Sequence, residues 1–512
     1  MTDAVSPTPL RGWPLLLVTF GLSVATFMEV LDITVANVSL PTIAGDLAVS
    51  STQGTWVITG YGVANAITVL LAGWLSRRFG EVRMFTLCAL SFGAASFLCG
   101  WAWSLPALVT FRVVQGAVAG PMVTMAQSLL LRNYPPERRG LAMAVWGMTV
   151  IVAPLVGPIL GGYITDNFSW QWIFLINVPI AAIAATTVWQ TLHRRETERQ
   201  RVPVDYIGFL LVVIGVGALQ ILLDKGKELD WFESNTIIAL AAVSAVGLST
   251  LVIWELGERA PVVNLRLFLI RNFTVSATVI AFGFAAMFGS IVLMPLFLQT
   301  QLDYTATWAG LVVAPVGILS LLLTPLLGPA LPRVNLRIVI TASMVIFAAA
   351  SFWRATLTTG ADYLHLAAPQ VLQGLAVACF FTPLIVQYTA ELPPSLFASA
   401  SSLMNFMRML GGSVATSIVT TLWDRRAALH QTTLVEHVVA GSSAVNDTLG
   451  VLAARGISGP AARAAIARSV SQQAYMLSAD EIFAWTGMVF LALIAVVWCA
   501  RPVRPRGAAV GH

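Results

Sequence analysis

Along this chain, apolar runs of about twenty residues, the length needed to cross a bilayer as a helix, alternate with short polar breaks. Such runs lie near 13–40, 52–76, 83–103, 106–130, 140–164, 169–191 and 205–224, and again near 236–255, 272–298, 307–330, 337–355, 363–389, 396–422 and 481–500. The pattern predicts an all-α polytopic membrane protein with fourteen spans. One sizeable hydrophilic stretch, 424–480, interrupts it, and its Ala, Arg and Gln content with scattered Gly predicts one or two short amphipathic helices. A connector and a docking surface for a partner are both open readings of that stretch.

Composition supports the pattern. Of 512 residues, 57% are hydrophobic and only 10% charged, against about 25% charged in soluble domains. That excludes a large soluble enzyme and a disordered chain. The net charge of +5 would suggest nucleic acid if the basic residues were clustered, but they are scattered between apolar runs. They act instead as a topology signal. With the N-terminus in the cytoplasm, 19 of the 29 basic residues fall on the cytoplasmic side, among them Arg77, Arg78, Arg138 and Arg139. The short outer loops then hold three, Lys225, Lys227 and Arg354. Both termini are therefore expected in the cytoplasm. The first run carries Glu29, Asp32 and Asn37 and continues past residue 40, longer than the core of a secretory signal, so it reads as a retained helix.

Scarce residues narrow the chemistry. The only lysines are Lys225 and Lys227, and Gly226-Lys227 is followed by Glu228, so there is no P-loop. Cys88, Cys99, Cys379 and Cys499 sit in apolar runs without metal-ligand spacing and read as buried packing residues. No His motif suited to metal hydrolysis or nucleophilic catalysis occurs. No catalytic, metal or cofactor site is expected.

The chain also repeats itself. Arg112-Val-Val-Gln115-Gly116 in span four matches Gln370-Val-Leu-Gln373-Gly374 in span twelve at an offset of 258, and Tyr134-Pro135-Pro136 matches Leu392-Pro393-Pro394 at the same offset. Thr55-Trp56 matches Thr307-Trp308 at an offset of 252. A repeat eight spans apart implies two six-helix halves, 1–200 and 261–512, with two helices inserted at 201–260. The duplication skips the inserted pair, which is therefore expected beside the halves and away from any central cavity. Two halves related in this way describe a secondary transporter that binds substrate between them and rocks.

Four charges lie inside spans: Glu29, Asp32, Arg112 and Arg408. Each costs about 2.5–3.5 kcal/mol to insert, too much to be incidental. Glu29 and Asp32 share one helix face, and their depth allows Asp32 to meet Arg112 across the bundle. A structural ion pair and a protonation site tuned by the arginine both fit; an intramembrane carboxylate is a functional candidate by default. Asp32 is expected to carry the proton, with Glu29 modulating it. Arg408 falls near the midplane, where gating and structural roles are equally open. Met287, Phe288 and Phe380, with the polar Gln115, Gln373 and Asn405, are candidates to line an adaptable cavity, although such residues also serve as core or face lipid.

Three further motifs complete the reading. Span one ends Leu31-Asp32-Ile-Thr-Val-Ala-Asn37-Val-Ser-Leu-Pro41. The turn after span two reads Gly73-Trp-Leu-Ser-Arg77-Arg78-Phe-Gly80-Glu81-Val-Arg83, and span five contains Pro154-Leu-Val-Gly157-Pro158-Ile-Leu-Gly161-Gly162. Together with Arg112-x-x-Gln115-Gly116, these resemble the signature motifs of the major facilitator superfamily, in its fourteen-helix drug:proton antiporter family of the EmrB/QacA type. The resemblance runs nearly end to end. It implies a multidrug exporter of the bacterial inner membrane, driven by protons as the coupling ion, for hydrophobic compounds that are often cationic or weakly acidic. It also implies a periplasmic membrane-fusion adaptor of the EmrA type and a TolC-type outer-membrane channel as partners. The family implies that span five's motif bends the helix and helps set antiport, while Gly73, Arg78, Gly80 and Arg83 form a cytoplasmic hinge turn. Here Arg77 replaces the family's usual acid and Glu81 a basic position. A dedicated exporter of an endogenous metabolite or siderophore, and a non-transporting scaffold or sensor, are the alternatives.

Overall fold

A computed structural model describes residues 10–135, 138–200, 202–327, 331, 334–438 and 443–502. Fourteen long helices dominate. The N-terminal six are α1 (Trp13–Asp46), α2 (Trp56–Phe79), α3 (Glu81–Gly100), α4 (Leu105–Asn133), α5 (Arg139–Asn167) and α6 (Asn177–Leu192). The next two are α7 (Tyr206–Lys225) and α8 (Asn235–Gly257). The last six are α9 (Arg271–Gln301), α10 (Ala306–Leu327), α11 (Leu336–Arg354), α12 (Tyr363–Thr389), α13 (Phe397–His437) and α14 (Pro460–Trp498). Short polar side chains start several of them: Ser104, Asp205 and Asp362 each accept a backbone N–H of the first turn.

Twelve described helices are long and apolar enough to cross a membrane, and α5 makes a thirteenth if its bent parts, Arg139–Pro154 and Ile159–Asn167, count as one span. The bend of 45° falls where the sequence places Pro154 and Gly157. The fourteenth helix, α13, is long enough but more polar than the rest, because Ser399, Ser401, Ser402 and Asn405 turn inward and are buried.

The internal repeat is visible as packing. In the first half α1 lies on α5, α2 on α4 and α3 on α6; in the second, α9 lies on α13, α10 on α12 and α11 on α14. The halves meet along two seams, α2 with α13 and α5 with α10. At the end that carries both termini the seam is closed. Ser402 donates to the backbone of Val69, Asn405 Nδ2 donates to Gln127 Oε1 at 2.8 Å, and Gln127 in turn donates to the Tyr388 hydroxyl at 3.3 Å. Gly73 lets the backbone of Ser399 come so close that a Cβ would sit 2.8 Å from its Cα.

Three expectations need correction. The hydrophilic stretch is mostly not a pair of independent amphipathic helices. Up to His437 it continues α13, and from Pro460 it is the start of α14; among the described residues only Ser443–Ala454 is a separate short helix. Nothing between Asp424 and His437 breaks a helix, whereas Gly456 takes positive φ just beyond the short helix and Gly459, also at positive φ, precedes the first turn of α14. The two extensions are laced together by a bidentate Arg426–Glu481 pair with both bonds 2.6 Å and by Ser478 donating to the Trp423 carbonyl. Arg354 is not in a loop: it ends α11 and is 1% exposed. Of the cysteines, Cys499 is exposed at the end of α14, where the helix leaves its neighbours.

Candidate functional site

Between the halves lies a cavity of about 550 Å³. Its wall is apolar in the main, with Ile33 and Ile58 on one side and Met287, Phe288 and Phe381 on the other. It reaches Asn37, Thr55 and Thr420, all toward the end of the bundle away from the termini. The seam at the opposite end is closed, so the cavity extends toward the end of the bundle away from the termini.

The charged cluster is built on α1, α2 and α4. Three residues apart on α1, Glu29 and Asp32 do different things. Glu29 lines the cavity and its Oε1 accepts from Asn65 Nδ2 at 2.9 Å and, more weakly, from the Tyr61 hydroxyl at 3.5 Å. Asp32 stands behind the wall, 2% exposed. Its Oδ2 pairs with Arg112, while its Oδ1 accepts from Asn177 Nδ2 at 2.8 Å and Gln115 Nε2 at 3.1 Å. Arg112 also donates to Gln115 Oε1 at 2.8 Å and to the Val57 carbonyl at 3.2 Å, and its guanidinium lies 4.1 Å from the centre of the Tyr61 ring. A buried ion pair is tolerable only when its remaining donors and acceptors are satisfied; here Gln115, Asn177 and the backbone do that. The arrangement holds one carboxylate tightly and leaves the other facing the cavity with neutral partners.

Arg408 faces Glu29 from α13. It lines the cavity above the Phe284 ring, 5.5 Å from its centre, and its charge acts on Glu29 across the space. Its Nε has no hydrogen-bond partner among the described residues.

The other predicted positions divide. Met287 and Phe288 line the cavity; Phe380 is fully buried behind Phe381, packed edge-on against it and Phe347. Gln115 belongs to the Asp32 cluster, Asn405 to the closed seam, and Gln373 to a separate buried site where it and Gln370 accept from Arg354. None of these three lines the cavity. Pro154 does, and Gly157 and Gly161 let α5 approach α1, a Cβ on Gly157 colliding with Thr34. Gly162 faces open space, and the side chain of Pro158 lies outside the described residues.

The hinge turn after α2 is held by the linkers that follow α6 and α8. Arg78 donates to the Val202 carbonyl at 2.7 Å, and Arg77 to the Pro261 carbonyl at 2.9 Å. Gly80, at φ +90°, leaves room for Glu196, whose carboxylate accepts the backbone N–H groups of Val82 and Arg83 at the start of α3. Arg83 itself is exposed. Glu81, where the sequence departs from the family motif, pairs with Arg132 at 3.2 Å and accepts from Ser128.

The inserted pair does not stand apart from the cavity. Gln220, Leu223 and Asp224 of α7, with Lys227 and Glu228 just after it, form part of the wall, while α8 packs on the outer side of α7. A duplication fixes which helices are copied, not which seam an uncopied helix covers. Sequence reasoning also missed Tyr61, Asn65, Ser96 and Asn177, neutral groups that carry no signal until the acid they bind is located.

The profile of the Major Facilitator Superfamily matches residues 22–416. The chain is 49% identical to the multidrug export protein EmrB of Haemophilus influenzae, over 96% of this chain and 97% of that one. To the EmrB of Escherichia coli strain K12 it is 48% identical over 98% of both. It is 47% identical to the fatty acid resistance protein FarB of Neisseria gonorrhoeae, over 96% of this chain and 97% of that one. Among solved structures, the human organic anion transporter MFSD10 superposes with a TM-score of 0.61 at 11% identity, covering 95% of this chain and all of the other. The proton:xylose symporter XylE gives 0.58 at 13% identity, over 94% and 95%.

Proposed function

From the premise that this chain belongs to the major facilitator superfamily, and is thus a transporter rather than an enzyme, we propose that it exports hydrophobic drugs in exchange for protons. The observation that carries the proposal is the pairing of a cavity-facing carboxylate, Glu29, with a second, Asp32, clamped by Arg112 three residues along the same helix. Glu29 exchanges a proton or a cationic substrate with the cavity; Asp32 and Arg112 hold the negative and positive ends of the cluster as the charge on Glu29 changes. A carboxylate that cannot hold both occupants at once is the simplest coupling device. Protons moving inward, worth about 2.3 kcal/mol per charge per 100 mV, drive the export. No cofactor takes part.

Names of the relatives support drug export as the cargo class. In this reading the protein spans the bacterial inner membrane with both termini cytoplasmic, and the cavity described above opens to the periplasm. It passes substrate to a membrane-fusion adaptor and an outer-membrane channel of the TolC type. The halves 1–200 and 261–512 rock so that the closed seam opens as the cavity mouth shuts, with 201–260 beside them.

Inside-out vesicles carrying the protein test the proposal. An imposed proton gradient should drive accumulation of ethidium, and a protonophore should abolish it. Accumulation no greater than in vesicles lacking the protein would overturn it.

A further inference from the structure

The inserted helix α7 brings a carboxylate to the cavity that the charged cluster does not use. Asp224 lines the cavity wall. Its partners are neutral: Gln220 Nε2 donates to Oδ1 at 3.1 Å, and the Thr59 hydroxyl bonds it from α2. Two lysines stand close in sequence, yet both are engaged with other acids. Lys225 binds Glu228 at 2.7 Å and the Thr55 hydroxyl, and Lys227 binds Asp424 at 2.7 Å. Of the three carboxylates on the wall, Glu228 is therefore paired, while Glu29 and Asp224 have no cationic partner within 4.0 Å among the described residues.

Position separates these two acids. Ser417 of α13 donates to the Leu223 carbonyl, so Asp224 lies level with Ser417, nine residues or about 14 Å along α13 from Arg408. The inner part of the cavity thus has Glu29 opposed by the Arg408 guanidinium, and the outer part has Asp224 beside two lysines, Lys225 and Lys227, that are each bound to another acid. The wall between them is apolar in the main, with Ile33, Ile58, Met287 and Phe288, and the hydroxyls of Thr55, Thr416 and Thr420 join it toward the outer end. A carboxylate held by neutral donors in such a wall attracts a lipophilic cation, which gives the ion a counter-charge where water is scarce.

The support of α7 is asymmetric in a way that fits a binding wall. Gln220 donates to Ser413 at 2.9 Å, Ser417 donates to Leu223, Trp231 Nε1 donates to Thr421 Oγ1 at 3.0 Å, and Lys227 pairs with Asp424. These partners, at 413, 417, 421 and 424, form one stripe on α13. The helix is therefore fastened to the second half along its outer length, and Asp224 is held in a defined place.

We propose that α7 is a wall of the substrate site and that Asp224 is its outer cation-binding group, recognising the positive centre of lipophilic cations. This rests on the reading of the cavity as the drug site. Binding to the purified full-length protein in lipid nanodiscs, with tetraphenylphosphonium and the same-shaped anion tetraphenylborate as probes, tests it apart from transport. Asp224→Asn should weaken tetraphenylphosphonium about tenfold, a loss of ~1.4 kcal/mol, and leave tetraphenylborate unchanged. Asp224→Glu should keep the cation within about twofold of the unaltered protein. Unaltered cation affinity in Asp224→Asn, equal loss of both ions, or no cation binding by the unaltered protein would each overturn it. Absence of proton-driven accumulation in vesicles, with these binding results intact, would instead sink the export reading alone.

Discussion

Gln115 and Gln373, 258 positions apart at matching places in α4 and α12, attend opposite charges: Gln115 donates to the Asp32 carboxylate, and Gln373 accepts from the Arg354 guanidinium. The same offset relates Arg354 to Ser96, which bonds Gln115 at 3.2 Å. In the first half the arginine is on the fourth span and meets an acid. In the second it has moved to the third span of the repeat, and the position of Arg112 is taken by the neutral Gln370, which accepts from Arg354 at 2.7 Å. Two copies of one framework have thus diverged into a site built around a paired carboxylate and one built around an arginine with neutral partners.

That divergence sets the first expectation. Arg354→Met removes the donor to Gln370 and Gln373 and leaves two buried carbonyl oxygens unserved, at about 1–3 kcal/mol. Thermal unfolding in detergent should fall by several degrees, with the pH dependence of export unchanged. Arg112→Met should abolish gradient-driven export. If the two variants behave alike, the halves are not specialised in this way.

Glu29 and Asp32 are separable by proton counting. Adding tetraphenylphosphonium to the unbuffered purified protein should release protons, and Glu29→Gln should suppress that release. Asp32→Asn should leave the protein folded in the membrane while gradient-driven efflux disappears. Full efflux by Asp32→Asn across the pH range would remove it from the coupling path.

The closed seam is tested by overpacking. Gly73→Ala places a methyl group against Ser399, and forcing a group into a packed contact costs about 1–3 kcal/mol. Because that contact exists only when the terminal end is shut, export should slow roughly tenfold. Ser399→Gly in the same protein should restore much of it. Failure of the second change to rescue the first would mean that the seam does not open and shut at this point.

The outer extension gives a fourth test. Replacing 438–459 by a short turn spares the Arg426–Glu481 pair and the Trp423–Ser478 bond, so folding and vesicle transport should persist. Co-purification with the adaptor and resistance in intact cells should drop. An adaptor that still binds at full strength would move the docking surface elsewhere.

What could be seen in the sequence follows from cost. Charged residues inside apolar runs stand out because each is expensive there, so Glu29, Asp32, Arg112 and Arg408 were all legible, and three of the four line the cavity. Arg354 was not, because it falls where an apolar run ends and the chain beyond it is polar; only packing shows that its side chain turns back into the bundle. Neutral partners such as Asn65 and Asn177 are cheap and common in helices, and have no signature of their own. The fourteen helices and the repeat were readable from periodic hydrophobicity, whereas the seam covered by α7 depends on three-dimensional contact that no periodicity encodes.

The placement of α7 has a consequence for how cargo arrives. Lipophilic compounds concentrate in the bilayer, and a seam between two halves is a doorway from a lipid leaflet to the space inside. Along the α2–α13 seam that doorway is blocked: α7 lies across it, and α8 stands behind with most of its surface turned outward. No helix lies across the seam of α5 with α10 among the described residues, so the two flanks of the molecule offer a dissolved lipophile different surfaces, one walled twice over and one a single layer thick at the proline bend of α5.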